Sequence, residues 1–216
     1  MKINVVESVL KANDAIALEN RRRMDAAGVL AINLMSAPGS GKTTLLEKTI
    51  PALGPGQRCA VLVGDLQTTR DADRLGAVAA EVTQINTGQG CHLTASQVAA
   101  GLDTLKLKEI AYLFIENVGN MVCPAAVDLG EHLRVALLSV PEGDDKVAKY
   151  PTLFQPAHAI LLTKVDLIGV VDYERRKVYE DLSRINTSAP VFELSLTTGQ
   201  GLDRWLTWLQ ERRHKG

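Results

Sequence analysis

Leu30-Ala31-Ile32-Asn33-Leu34-Met35-Ser36-Ala37-Pro38-Gly39-Ser40-Gly41-Lys42-Thr43-Thr44 decides how the rest of the chain is read. The mostly apolar run Leu30–Met35 has the length and composition of a buried strand. A glycine loop follows, and Lys42 opens an amphipathic stretch that continues to Ile50. Strand, glycine loop and helix in that order are the setting of a phosphate-binding loop. Gly39, Ser40 and Gly41 let backbone N–H groups close around phosphates, and the helix N-terminus favours an anion. Lys42 can reach the β- and γ-phosphates. The Thr43 hydroxyl can ligate Mg²⁺, and Thr44 continues the cradle. Ser36 stands where G-x-x-x-x-G-K-[ST] asks for glycine, a departure that leaves Gly39–Thr43 intact. The competing reading is a glycine-rich turn with a chance lysine, which the flanking strand and helix oppose.

On the N-terminal side, residues 5–26 read as one helix, with Val6, Val9, Leu10, Asn13, Ile16 and Ala17 at roughly helical spacing. Arg21-Arg22-Arg23 is expected near its C-terminal end, where cations suit the helix dipole, and Gly28 stops it. On the C-terminal side the pattern alternates. Short apolar runs (Cys59–Val63, Val82–Ile85, Tyr112–Ile115, Val135–Val140, Ala159–Leu162, Val191–Leu194) are separated by amphipathic stretches. These include Ala72–Ala80, Thr94–Gly101, Tyr173–Ile185 and Leu202–Arg213. Such alternation predicts an α/β fold of three layers with a mostly parallel central sheet. Ligands then bind at the carboxyl ends of the strands. There is no internal repeat or long linker. The expected organisation is an N-terminal helical appendage over 1–28 and one nucleotide-binding domain over 29–216.

Composition narrows the function. The 216 residues are 46% hydrophobic and 23% charged, ordinary for a globular protein and wrong for a disordered one. Lys+Arg is 24 against 25 Asp+Glu, a net charge of -1, which opposes non-specific nucleic-acid binding. No apolar run approaches the roughly 18 residues of a membrane helix, and Met1–Glu7 has no signal-peptide pattern. Three cysteines are too few for a disulfide scaffold, so a reducing cytoplasm is expected.

Downstream strands carry further chemistry. Thr163-Lys164-Val165-Asp166 follows Ala159–Leu162 and resembles the N-K-x-D guanine motif of GTPases, with Thr163 in the Asn position. An Asp there accepts from guanine N1–H and the 2-amino group together, and the Lys164 stem can pack on the base. Thr163, with one hydroxyl, should hold its neighbouring loops less firmly than Asn. The alternative for Asp166 is a helix N-cap before Leu167. Ser195-Leu196, after the last strand, stands where GTPases place a second base-contacting loop. Asp65 ends the second strand and Glu116 the strand Tyr112–Ile115. Both are candidates for the water-shelled Mg²⁺, and with Lys42 they form the expected catalytic set. Asp65 could instead cap the next helix. No arginine or glutamine can be assigned to catalysis, so slow intrinsic hydrolysis is expected.

Cys91-His92 and Cys123 lie in glycine- or proline-flanked loops. Two thiolates and an imidazole suit Ni²⁺ or Zn²⁺, with one coordination position left over. A small buried thiol with a capping histidine is the alternative. Cys59 sits inside an apolar run and reads as core. His132, His158 and His214 have no ligand partner in sequence and read as surface or strand-edge residues.

Taken together, these residues resemble the hydrogenase nickel-incorporation GTPases of the HypB family. The resemblance covers nearly the whole chain. It rests on Asn20-Arg21-Arg22, Ser36–Leu46, Gly64-Asp65-Leu66-Gln67-Thr68 with Asp71-Ala72-Asp73-Arg74, Gly90-Cys91-His92-Leu93, Glu116-Asn117-Val118-Gly119-Asn120 with Val122-Cys123-Pro124, Lys164-Val165-Asp166-Leu167 and Thr198-Gly199-Gln200-Gly201. It implies a metal-regulated enzyme that turns GTP into GDP and phosphate with Mg²⁺ and assists nickel delivery into [NiFe]-hydrogenase. It also implies a homodimer formed on GTP or metal binding. The Ni²⁺ site would be Cys91, His92 and Cys123, which Zn²⁺ can also occupy. The implied partners are the nickel metallochaperone HypA and, indirectly, the hydrogenase large-subunit precursor. A urease-type nickel GTPase and a P-loop small-molecule kinase are the competing readings.

Overall fold

The computed structural model describes residues 2–65 and 69–215, with side chains described for 11–65 and 69–213. The chain runs α1 (Lys2–Ala27), β1 (Leu30–Met35), α2 (Lys42–Ala52), β2 (Cys59–Asp65), α3 (Arg70–Leu75), β3 (Glu81–Asn86) and α4 (Ala95–Leu102). It continues with β4 (Tyr112–Glu116), β5 (Leu133–Ser139), α5 (Lys146–Lys149), α6 (Pro151–Phe154), β6 (Ala159–Thr163), α7 (Arg175–Ile185), β7 (Val191–Leu194) and α8 (Leu202–Lys215). The seven strands form one sheet in the order β3-β2-β4-β1-β5-β6-β7, with every pair parallel. β1 is the switch point. Ile32 pairs with Phe114 of β4 on one side and Leu133 of β5 on the other. The loop after β1 therefore opens into the crevice where such sheets hold ligands.

Pleating explains why the apolar runs were legible. Successive side chains of a strand point to opposite faces, and both faces are covered. Ile32, Leu34, Val61, Phe114 and Leu137 pack with Leu45 of α2, Leu75 of α3 and Trp205 of α8. On the other face, Ala136 and Ile160 meet Phe154 and Val178, while Ala31, Leu62 and Leu113 meet Met24 of α1 and Val98 of α4.

The structure corrects several boundaries. β2, β4 and β6 run on to take in Asp65, Glu116 and Thr163, so these polar residues sit on the last rung of the sheet. α3 stops at Leu75, well short of Ala80. Gly76 follows it, and the Ala80 N–H already bonds the Cys59 carbonyl on the way into β3. α5 and α6 were not anticipated. Each is a single turn, too short to show a helical period, and Tyr150 separates them, with Pro151 opening the second.

α1 is longer than expected, and its arginines are not in the last turn. Arg21 and Arg23 face the body of the protein, while Arg22 is exposed beside Glu19. Arg21 Nε donates to the Gly130 carbonyl at 2.7 Å, and Arg23 pairs with Asp103 at 2.7 Å. Buried Asn20 donates to the Ala95 and Leu129 carbonyls at 2.8 and 3.1 Å. A Cβ on Gly130 (φ +91°) would stand 2.4 Å from the Ala17 carbonyl, so only glycine allows this approach. From Asn13 onward, then, the helix is packed against the loop after β4 and α4. The expected contributions of Val6, Val9 and Leu10 lie outside the described side chains.

His132 and His158 are strand-start fasteners. His132 Nδ1 accepts the Ala31 N–H at 2.9 Å, and His158 Nδ1 accepts the Arg134 N–H at 3.0 Å. Accepting requires a neutral ring with its proton on Nε2, and His132 uses that proton on Asp25 at 2.8 Å. Burial lowers both pKa values. The unfolded chain thus takes up protons more readily than the folded one, and stability is lost as pH falls below the usual histidine range. The double variant His132→Gln, His158→Gln is expected to show a shallower fall in melting temperature between pH 7.5 and 5.5. Parallel slopes for the two proteins would contradict this role.

Candidate functional site

The loop after β1 and the ends of β2, β4 and β6 enclose a cavity of about 420 Å³. Gly39 (φ +75°) and Gly41 (φ +99°) take backbone conformations that side chains resist. No side chain caps the start of α2. Its first N–H groups are therefore left for an anion. Gly39, Gly41, Lys42, Thr43, Thr44, Asp65, Glu116 and Lys164 all line this space. Ser40, Asp166, Ser195 and Leu196 do not. The sequence-predicted residues thus divide into a cavity set and a second group around it.

Lys42 is buried, and burial lowers its pKa, with Glu116 opposing that shift. Its Nζ donates to Ser36 Oγ at 3.0 Å. The serine that departs from the glycine pattern is therefore the lysine's partner. Ser40 is buried beneath the loop. Its hydroxyl lies 2.7 Å from Glu142 Oε1, which also accepts the Ser139 N–H and hydroxyl. Glu142 was missed, although Ser139-Val140-Pro141-Glu142 has capping-box spacing.

The loop after β6 clasps the glycine loop. The buried Thr163 hydroxyl donates to the Ser40 carbonyl at 2.7 Å, and Lys164 Nζ donates to the Gly39 carbonyl at 2.8 Å. Thr163 therefore reaches its neighbour through its single hydroxyl. Lys164 is the one non-glycine residue with positive φ among the described residues. Asp166 is exposed within the turn Val165–Leu167, whose cap position is Lys164, so the N-cap reading of Asp166 fails. Ser195 is buried, and its Oγ accepts the Thr198 N–H at 3.2 Å. Its hydroxyl thus organises its own loop. Leu196 lies 3.8 Å from the Cβ position of Gly41.

Opposite the lysine, Thr43 Oγ1 donates to Glu116 Oε1 at 2.7 Å. Glu116 Oε2 is buried without a hydrogen-bond partner, and burial pushes the carboxyl up to about 7. A buried carboxylate oxygen without a donor, beside a hydroxyl and with Asp65 on the same wall, is a hard-oxygen set that suits Mg²⁺. Asp65 does not cap α3, whose cap is Thr69. Leu66, Gln67 and Thr68 of the quoted motif lie outside the described residues. Arg74 was also missed. It lines the cavity, donates to Glu47 at 3.0 and 2.6 Å and reaches Thr44 at 3.1 Å.

Cys91, His92 and Cys123 meet. One ligand atom from each lies within 4.8 Å of the others, and all three residues are half-buried. Cys91 Sγ is 3.5 Å from His92 Nδ1. The hydrogen bond with Cys123, and then burial, raise the Cys91 thiol pKa. Two sulfurs and an imidazole in one place suit a borderline divalent ion. Asn120, not anticipated, shapes this turn by accepting the Val122 and Cys123 N–H groups at 2.7 and 3.3 Å. Cys59 is apart from them in the core, its thiol pushed up to about 12 by burial. Among the described residues no helix is long and apolar enough to cross a membrane.

Known proteins share this fold. Residues 30–193 match the family model "CobW/HypB/UreG, nucleotide-binding domain". The chain is 45% identical over 211 residues to the hydrogenase maturation factor HypB of Escherichia coli K12, covering 98% of this chain and 73% of that protein. A crystal structure of HypB from Helicobacter pylori in complex with nickel superposes with a TM-score of 0.90 at 41% identity, covering 94% of this chain and 96% of that one. The HypB structure from Archaeoglobus fulgidus gives 0.89 at 37%, covering 94% and 100%. With a matching domain, a shared fold and close identity over almost its full length, the chain belongs to the HypB family of hydrogenase maturation GTPases.

Proposed function

We propose that residues 29–216 hydrolyse GTP and use that cycle to govern a nickel ion held by Cys91, His92 and Cys123, with residues 1–28 as a contact helix. One observation carries the reading. The segment leaving β4 bears Glu116 on the phosphate cavity and Cys123 in the thiol–imidazole cluster, so one short stretch of chain serves both places.

Lys42 leaves Ser36 to neutralise the β- and γ-phosphates, while the N–H groups of residues 39–44 hold them in line. Thr43, Asp65 and Glu116 would hold Mg²⁺, which would neutralise charge growing on the phosphate oxygens. Asp166 accepts from the guanine edge. Lys164 covers the base from the P-loop side, and Ser195 and Leu196 form the wall behind it. Catalysis is positioning and charge stabilisation, which fits slow intrinsic turnover. The nickel is cargo, received from HypA and passed towards the hydrogenase large-subunit precursor. Zn²⁺ competes for the same donors. Three protein donors leave one position for a partner or a second subunit, which supports a homodimer assembled on GTP or metal.

The test is nickel and GTP binding to the native protein and to Cys91→Ala. The variant is expected to lose nickel binding while retaining GTP. Unchanged nickel affinity in Cys91→Ala would overturn the assignment of the cluster.

A further inference from the structure

The two sites are joined by Asn117, which lines the phosphate cavity but has no part assigned above in holding nucleotide or metal. Asn117 follows Glu116, is 1% exposed, and turns its carboxamide inward. Its Oδ1 accepts two backbone N–H groups, from Val118 at 3.0 Å and from Leu93 at 3.1 Å. Leu93 is the residue after His92. Asn117 Nδ2 donates to Asn33 Oδ1 of β1 at 3.3 Å, and Asn33 Nδ2 donates to buried Glu131 at 3.3 Å. The amide is thus held in one orientation by a buried chain whose members polarise one another.

Leu93 is fixed from a second side. It is fully buried, and a Cβ on Gly64 would lie 2.8 Å from its Cγ. Gly64 precedes Asp65. Leu93 therefore lies against the exits of both strands that bring carboxylates to the cavity. Movement of either exit must be passed to residue 93, and so to His92, because neither contact has slack.

We propose that Asn117 is a positioning residue that holds the 91–93 loop in register with the phosphate cavity, so that nucleotide occupancy sets nickel affinity through the Asn117–Leu93 hydrogen bond. This rests on the function proposed above, and by linkage nickel then alters nucleotide affinity by the same factor. An alternative path runs along the chain from Glu116 to Cys123 and does not need Asn117.

The two paths are separable with near-isosteric variants. Asn117→Asp keeps an acceptor for the Leu93 N–H, and Asn117→Leu removes it. Nickel dissociation constants are measured by competition with a chromogenic chelator, with and without a non-hydrolysable GTP analogue. The native ratio is expected to depart from one by about fivefold or more. Asn117→Leu should bring it to one, and Asn117→Asp should restore most of the departure. A native-like ratio in Asn117→Leu overturns the proposal. Where Asn117→Leu fails to fold, Asn117→Ala removes the same acceptor with less bulk, and a native-like ratio there overturns it equally. A ratio of one in the native protein also overturns the proposal, yet leaves the metal site standing if Cys91→Ala has lost nickel. Nickel retained by Cys91→Ala instead removes the functional reading itself.

Discussion

Lys42→Ala is expected to lower the rate of GTP hydrolysis by roughly 10²–10³-fold, about 3–4 kcal/mol of lost transition-state stabilisation, the range seen when one preorganised donor is removed. The ammonium is buried beside Glu116, and among the described residues its hydrogen bond goes to Ser36 Oγ, with burial lowering its pKa. A desolvated cation with a single neutral partner adds little to the nucleotide-free fold. The melting temperature without nucleotide should therefore stay the same or rise, while the stabilisation that saturating GTP confers should shrink. That split separates a phosphate-binding lysine from a structural one. Steady-state hydrolysis and melting with and without GTP are the two measurements. Turnover within a few-fold of native, or a large loss of stability without nucleotide, would refute the role.

Most of the fold was legible because of how parallel sheets are built. Strands covered on both faces read as continuous apolar runs, and β1 and β7 have the predicted bounds. The misplaced ends have a common cause. Asp65, Glu116 and Thr163 are polar, so an apolar-run criterion stops before them, although parallel pairing continues through all three. The glycine loop was legible because its chemistry needs fixed spacing along the chain. Cys91-His92 and Cys123 carried a weaker signal, since 30 residues lie between His92 and Cys123 and the pairing of β3 with β2 and of β2 with β4 closes the gap. Asn117, Ser36 and Glu142 gave almost none. Asn117 and Glu142 matter through partners from another strand or loop and Ser36 through Lys42 across its own loop, and residue type alone does not reveal a buried hydrogen bond.

Trp205→Ala is the substitution expected to cost the most stability, about 3–5 kcal/mol for a large aromatic removed from a core that cannot close around the void. Trp205 is fully buried. It stacks on Trp208 with centroids 5.5 Å apart at 20°, and meets Phe192 edge-on at 6.1 Å. Its Nε1–H donates to Thr49 Oγ1 at 3.0 Å. That bond ties α8 to α2, the helix that begins at the glycine loop. Trp205→Phe keeps most of the ring packing and loses only the hydrogen bond, worth about 1 kcal/mol. Urea unfolding should then order the proteins native, Trp205→Phe, Trp205→Ala, with the last step the larger. The loss is a large part of the 5–15 kcal/mol typical of a folded domain, so Trp205→Ala should melt on the order of 10 °C lower. Because Thr49 lies on the helix that begins at the glycine loop, GTP added in excess should recover part of that loss. Equal unfolding midpoints for native and Trp205→Ala would mean that α8 is not part of the core that supports the phosphate loop.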